Sequence, residues 1–347
     1  MKKRIAKIFA ALLAAVSIFS LVACGGGNDG GDNKINAKIY APDGAPALAM
    51  AKMMSEDRTD TTFEVVKADT IASFVTGDTP KADLCVLPLN AASKLLGTGE
   101  KYTMLGTVTH GNLYLLSHNA LDAELFTEGS SLQLLTGKKV GVIQINNVPG
   151  LTLKLLLQKN EVGINDNYQS AVDPDTSKVN LASIGGAQAI GTLGYDYYLA
   201  AEPLASAKVK ASANSANPLY IAADLQKLYG GENGYPQAVL VVKNDFLEKN
   251  GEWVDEFIED VKEAAAWLQE DTTEISTIVS AVSSKLTSEL TPSFNANNLT
   301  KTVIANCGVF FTGAQEGKAE VNAFLTELMG VSQGAAKTVA DKFFYSK

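Results

Sequence analysis

Arginine is nearly missing from this chain. Of 347 residues only Arg4 and Arg58 are arginine, and lysines are spread evenly along the rest. The net charge is −9, falling to −13 once Lys2, Lys3, Arg4 and Lys7 are removed. An acidic chain with no basic patch interleaved with aromatics repels nucleic acid, so no nucleic-acid partner is expected. Histidine is almost as scarce: only His110 and His118 are available as bases near neutral pH. Their eight-residue spacing on one extended run puts both on one face, but no motif supplies the further ligands of a metal site, and no metal is expected. Three cysteines, Cys24, Cys85 and Cys307, are too few for a disulfide framework. Cys85 and Cys307 lie in apolar runs and are either buried free thiols or a single bridge. GxSxG, HExxH and GxxxxGK[ST] are all absent, so no catalytic residue and no cofactor is assigned. Beyond residue 23 no apolar run approaches the length of a membrane span.

What is present begins with a secretion signal. "MKKRIAK" is basic, and Ile8 to Ala23 is an uncharged run of 16 residues, short for a span of about 20. "LVAC" resembles the bacterial lipobox, which implies cleavage before Cys24 and lipid on its sulfur. "GGGNDGGDN" then has no apolar residue to bury and reads as a flexible tether. The expected product is an extracytoplasmic lipoprotein on the outer face of the bacterial cytoplasmic membrane.

About 310 residues follow, enough for two domains. Periods of 2 and 3.6 alternate along them. "TTFEVVK", "ADLCVLP", "KKVGVI", "KVNLASI" and "YDYYLAA" read as short strands. "ALAMAKMM", "NAASKLL", "PGLTLKLLLQK" and "AQAIGTL" read as helices between them. This alternation predicts an α/β fold with largely parallel sheets. One pattern occurs twice: "KIYAPDGAPALAMAKMM" and "KKVGVIQINNVPGLTLKLLLQ" each run strand, polar loop, proline, apolar helix. "GDTPKADLCVLPLNAASKLL" and "GYDYYLAAEPLASAKV" repeat a second pattern in the same order. Two lobes of one kind follow. Two long extended runs, "YTMLGTVTHGNLYLLSHN" and "YPQAVLVVKNDF", read as strands crossing between them. Beyond Phe246 the chain reads as almost wholly helical. Trp253, Phe257 and Val261 share one face of a helix whose acids face water or a partner protein.

Taken together, "YAPDGAPALAMAK", "GDTPKADLCVLPLNAA", "LTGKKVGV" and "YDYYLAAEPLASA" resemble the type II periplasmic solute-binding proteins of ABC importers. The nearer group serves nitrate, sulfonates, taurine and thiamine-pyrimidine precursors, and the similarity runs from Ala37 to about Phe344. It implies a two-lobed type II fold with two crossing hinge strands and a helical C-terminal part. Residues 1–23 would be signal peptide and 24–36 tether. Lobe one would be 37–109 with 237–347, and lobe two 110–236. It also implies a small-molecule solute, a separate permease and ATPase as partners, and a monomer.

Open α/β sheets bind ligands at strand ends, where loops lead into helices. The candidate ligand residues are therefore Asp43, Gly44 and Ala45, then Asn90 and His110, all in lobe-one loops. From lobe two come Gln144, Asn146, Asn147, Gly185 and Glu202. Helix starts offer N–H donors, the amides both donors and acceptors, and the two acids pair with an amine. Asp43 either caps the following helix or meets the ligand, and Glu202 either favours a helix dipole or does the same. Asn146–Asn147 and Gly185–Gly186 are also ordinary turn compositions. None of these loops carries Lys or Arg, which the family's anion binders often place in the cleft. A small polar or amine-bearing solute suits the set better than a bare oxyanion. The alternatives are an enzyme, by analogy with fungal thiamine-pyrimidine synthases of similar fold, or a surface lipoprotein that transports nothing.

Overall fold

In a computed structural model, residues 35–192, 194–231 and 233–347 are described. The expected signal peptide, Cys24 and nearly all of the tether lie outside them. Strands β1 (Ala37–Pro42), β2 (Thr61–Val66), β3 (Leu84–Pro88) and β4 (Tyr102–His110) open a first sheet. The chain then crosses and lays down β5 (Leu113–Ser117), β6 (Lys139–Val142), β7 (Ile164–Asn165), β8 (Val179–Ser183), β9 (Tyr197–Ala201) and β10 (Tyr220–Asp224). It returns for β11 (Pro236–Lys243) and the edge strand β12 (Val309–Gly313). Two six-stranded sheets result, ordered β12-β4-β11-β3-β1-β2 and β10-β5-β9-β6-β8-β7.

Between the first strands lie α1 (Ala45–Ala49), α2 (Ala51–Ser55) and α3 (Leu89–Leu96). The second sheet carries α4 (Val148–Lys159), α5 (Leu204–Ser212) and α6 (Leu225–Tyr229). After β11 come α7 (Asn244–Lys249), α8 (Gly251–Gln269), α9 (Ile275–Ser283), α10 (Lys301–Ala305) and α11 (Lys318–Val331). The sequence alternation is thus realised as mixed α/β, with β1, β2 and β3 parallel and β6 parallel to β8 and β9. The strands nearest the crossings, β4, β5 and β11, pair antiparallel, so each sheet is mixed rather than largely parallel.

The structure corrects further expectations. The run from Tyr102 to Asn119 is two strands in different sheets, because the chain breaks at Gly111–Asn112. A Cβ on Gly111 would fall 2.5 Å from the Gln226 side chain, so the crossing is close-packed. His110 closes β4 and His118 lies past β5, so they share no face. "ALAMAKMM" is two short helices separated by Met50, whose N–H bonds Ala47 O in a tighter closure. "AQAIGTL" contains only the turn Ala187–Ala189, and Gly191, at φ 79°, leaves the helical region soon after. The region beyond Phe246 is not almost wholly helical: it includes β12 and an irregular stretch, 284–300.

Three apolar clusters hold the fold. One covers a face of the first sheet, packing Ile39, Val65, Leu84 and Leu240 against Met53, Phe257, Val261 and Ile278 of α2, α8 and α9. There Phe257 and Val261 are buried as the sequence pattern requires, and Trp253 stacks on Phe257 with ring centroids 5.1 Å apart. Arg58 pins this helix by donating to Asp260 at 2.5 Å, while Asp60 accepts from Arg58 and from Trp253 Nε1. A smaller cluster includes Leu116, Ile184 and Tyr198 of the second sheet, with Ala205 of α5.

The third cluster spans both sheets. Cys85, Leu87 and Met104 of the first sheet continue through Leu89 and Leu96 of α3 to Phe324 and Leu328 of α11. From there the cluster runs on to Leu151 and Leu155 of α4 and to Val140 of the second sheet. Glu327 of α11 accepts from Lys159 Nζ at 2.6 Å and Tyr229 OH at 2.9 Å. Helix α11 therefore joins the two sheets along one side. Cys85 and Cys307 are both free and buried, in clusters on opposite faces of the first sheet, and burial raises both thiol pKa values. Among the described residues no helix is long and apolar enough to cross a membrane.

Candidate functional site

Strand register places the candidate loops along two sheet edges. In the first sheet β1 and β3 run parallel, and His110 pairs with Pro236 as Pro88 pairs with Ala238. The ends of β1, β3 and β4 and the start of β11 therefore share one edge, which carries Asp43, Gly44, Ala45, Asn90 and His110. In the second sheet β6, β8 and β9 are parallel, and Leu113 pairs with Ala201. Gln144, Asn146, Asn147, Gly185 and Glu202 follow those strand ends.

The two edges meet. Asn90 Nδ2 donates to Asn146 O at 3.4 Å, and a Cβ on Gly44 would lie 3.8 Å from Pro203 Cδ. At the crossing, Glu202 N–H donates to Asn112 O at 2.9 Å.

Each acid has a definite setting. Asp43 does not cap α1: the cap position is Gly44, at φ 99°, and no side chain bonds there. Asp43 Oδ2 instead accepts the N–H of Ser293, 250 residues away, at 2.7 Å. Burial raises the Asp43 pKa, against the opposing N–H and hydroxyl of Ser293 and the N–H of Gly44. Glu202, only 2% exposed, uses both oxygens on Ser206, accepting its N–H at 3.0 Å and its hydroxyl at 2.5 Å. It holds the first turn of α5, and burial raises its pKa against those bonds. Its peptide bond to Pro203 is cis.

The remaining candidates differ in exposure. His110 stacks on Phe310 with centroids 3.6 Å apart and planes at 6°, and Thr312 Oγ1 lies 3.4 Å from its Nε2. Burial pushes its pKa down to about 4, so the ring is neutral at physiological pH. Gln144 has φ 56° and its carbonyl accepts from Asn147 N–H, folding the loop back before α4. Asn147 stands at the start of α4 without a side-chain capping bond, Asn146 is exposed, and so is Gly185.

Buried polar atoms normally find partners. Among the described residues nine buried side-chain N or O atoms have none, and all but those of Thr61 and Thr152 belong to this region. They are Asp43 Oδ1, Asn90 Oδ1, Thr109 Oγ1, His110 Nδ1, Asn112 Oδ1, Gln237 Oε1 and Ser293 Oγ. Asn90 spends its N–H groups on the carbonyls of Ala335 and Asn146, and Asn112 spends Nδ2 on Cys307 O. Their oxygens, with Asp43 Oδ1, are acceptors without a donor of ordinary geometry. Asn112 and Ser293 are not among the sequence candidates. Asn112 stands two residues from His110 in "HGN", a signal that could be followed, whereas nothing local marks Ser293.

No family model matches the chain, and no curated protein does either. Solved structures do. An ABC transporter protein from Parabacteroides distasonis matches with a TM-score of 0.67 at 18% identity, covering 91% of this chain and 100% of its own. The chain has the two-lobed fold of periplasmic solute-binding proteins. The periplasmic nitrate-binding protein NrtA from Synechocystis matches at a TM-score of 0.58 and 14% identity, over 87% of this chain and 83% of its own. The aliphatic sulphonate-binding protein SsuA from Escherichia coli does so at 0.55 and 15%, over 88% and 95%. At these identities the likeness is one of fold.

Proposed function

We propose that this protein is the extracytoplasmic ligand-capturing subunit of an ABC importer, binding a small polar or amine-bearing organic solute between its lobes for delivery to a membrane permease. The observation that carries this reading is the pair of facing sheet edges with their unpaired acceptor oxygens. Asp43, Asn90 and Asn112 each offer an unpaired acceptor oxygen, which favours a solute bearing N–H groups over a nitrate-like anion. The proposed moving bodies are 37–109 with 237–347, and 110–236. Fold relatives that bind solutes favour binding over catalysis, as does a site whose only histidine is neutral and buried.

The solute class is tested by thermal melting of the mature protein against amines, amino acids, pyrimidines, sulfonates and nitrate. An amine-bearing compound should raise the melting temperature while nitrate and simple sulfonates leave it unchanged. Stabilisation by the anions alone would overturn the solute class, and no stabilisation by any compound would count against capture.

The "LVAC" signal supports anchoring through lipid on Cys24, with the protein working as a monomer beside its permease and ATPase. Cys24→Ser should release the protein from the membrane fraction or leave the precursor uncleaved. Wild-type fractionation and mass in that variant would remove the lipoprotein reading.

A further inference from the structure

The irregular segment 284–300 touches three parts of the molecule. Leu286 bridges Val65 of β2, Ser293 N–H donates to Asp43, and the carbonyl of Asn297 accepts from Lys210 of α5. It thus reaches from the first sheet to a helix of the second, passing the loop that carries Asp43 and Gly44. Phe294, 1% exposed, anchors it in the core beneath the first sheet.

We infer that Ser293 and Asp43 together form a subsite for a primary ammonium group of the solute, with Pro203 as its wall on the second lobe. This rests on the capture reading above and names the group that is recognised. Neither Asp43 Oδ1 nor Ser293 Oγ, both buried, makes a hydrogen bond of ordinary geometry, although the hydroxyl lies close enough to the carboxylate to oppose the rise of its pKa. They are neighbours by construction, because the Ser293 N–H holds the other oxygen of the same carboxylate at 2.7 Å. Ser293 Oγ lies 3.7 Å, and Pro203 Cδ 3.8 Å, from the place a Cβ on Gly44 would occupy. The space beside Gly44 is therefore bounded by a hydroxyl and an apolar ring edge, with the Asp43 carboxylate on the preceding residue.

An ammonium group supplies three donors and a charge. It satisfies both orphaned oxygens and offsets the cost of burying a carboxylate with one free oxygen. Asn90 Oδ1, just past the adjacent parallel strand, is another unpartnered acceptor on the same edge. A quaternary ammonium has no N–H to give to either oxygen. Ser293 is thus a specificity-determining residue contributed by a segment remote in sequence from every other candidate.

The test is thermal melting in methylammonium chloride, tetramethylammonium chloride and sodium chloride at equal ionic strength. Methylammonium should raise the wild-type melting temperature above both other salts. The rise should vanish in Asp43→Asn, which keeps an oxygen for the Ser293 N–H. It should fall by at least half in Ser293→Ala, which keeps the N–H but loses the hydroxyl. Equal melting of wild type in all three salts overturns the subsite, and that comparison needs no variant to fold. A full methylammonium effect in Ser293→Ala also overturns it. Capture itself survives either result if another solute still stabilises the protein, and fails only if none does.

Discussion

Gly150→Ala is expected to lower the stability of the protein by about 3 kcal/mol, near the upper end of typical overpacking costs. A Cβ at this position would lie 2.3 Å from Ile145 O, 2.4 Å from its Cα and 2.5 Å from its carbonyl carbon. All three are backbone atoms, so no flexible side chain can swing away. The first turn of α4 and the loop from Gln144 to Asn147 would have to separate. That loop lies on the second lobe's edge of the proposed site, so on this reading solute affinity should fall along with stability. The melting temperature should drop by roughly 6–12 °C, taking about 2–4 °C per kcal/mol for a large domain. Melting within a degree of wild type would show that α4 and the loop are not packed as described.

Gly44→Val should act on binding more than on folding. The backbone there has φ 99° and ψ −143°, a conformation open to glycine and strained for any side chain. Strain of about 1–3 kcal/mol is expected. The Cβ itself meets only Ser293 Oγ at 3.7 Å and Pro203 Cδ at 3.8 Å, which is ordinary contact. The two γ carbons of valine, however, enter the gap between the Asp43 loop and the second lobe. In the proposed site they would take the space of the solute and obstruct closure. Affinity for a solute that stabilises the wild type should fall at least about tenfold, or 1.4 kcal/mol. Calorimetric titration of a folded Gly44→Val protein giving wild-type affinity would make this loop scaffold only.

How far the sequence reveals the fold follows from the range of each interaction. The strands and most helices are visible because burial writes a period into neighbouring residues: "DLCVLP" is an apolar run because β3 lies inside its sheet. The loops at strand ends are visible for the same reason, since each follows a strand whose direction the repeat fixes. Asp43, Asn90 and Glu202 are accordingly legible as candidates, and the structure places them on facing edges. What each one does is hidden, because it depends on partners far along the chain. Sequence leaves Asp43 balanced between capping and ligand contact, and its partner proves to be the N–H of Ser293. Glu202 spends its oxygens on Ser206, four residues on, a bond that a first-turn acid in "EPLAS" partly announces. The long run through His110 misleads because strand pattern carries no mark of which sheet a strand joins. The shared core at α11 is likewise hidden, since one amphipathic helix gives no sign of packing on two lobes.

The central claim is that the two sheet edges close on a solute. In the structure they already meet through Asn90 and Asn146, and the segment 284–300 also reaches α5 through Asn297 and Lys210. The core shared through α11 joins the sheets on one side, so any opening is expected on the other. Small-angle X-ray scattering of the mature protein, with and without a saturating solute that raises its melting temperature, tests this directly. The account predicts a smaller radius of gyration with solute, as the lobes draw together. An unchanged scattering profile under full occupancy would contradict it.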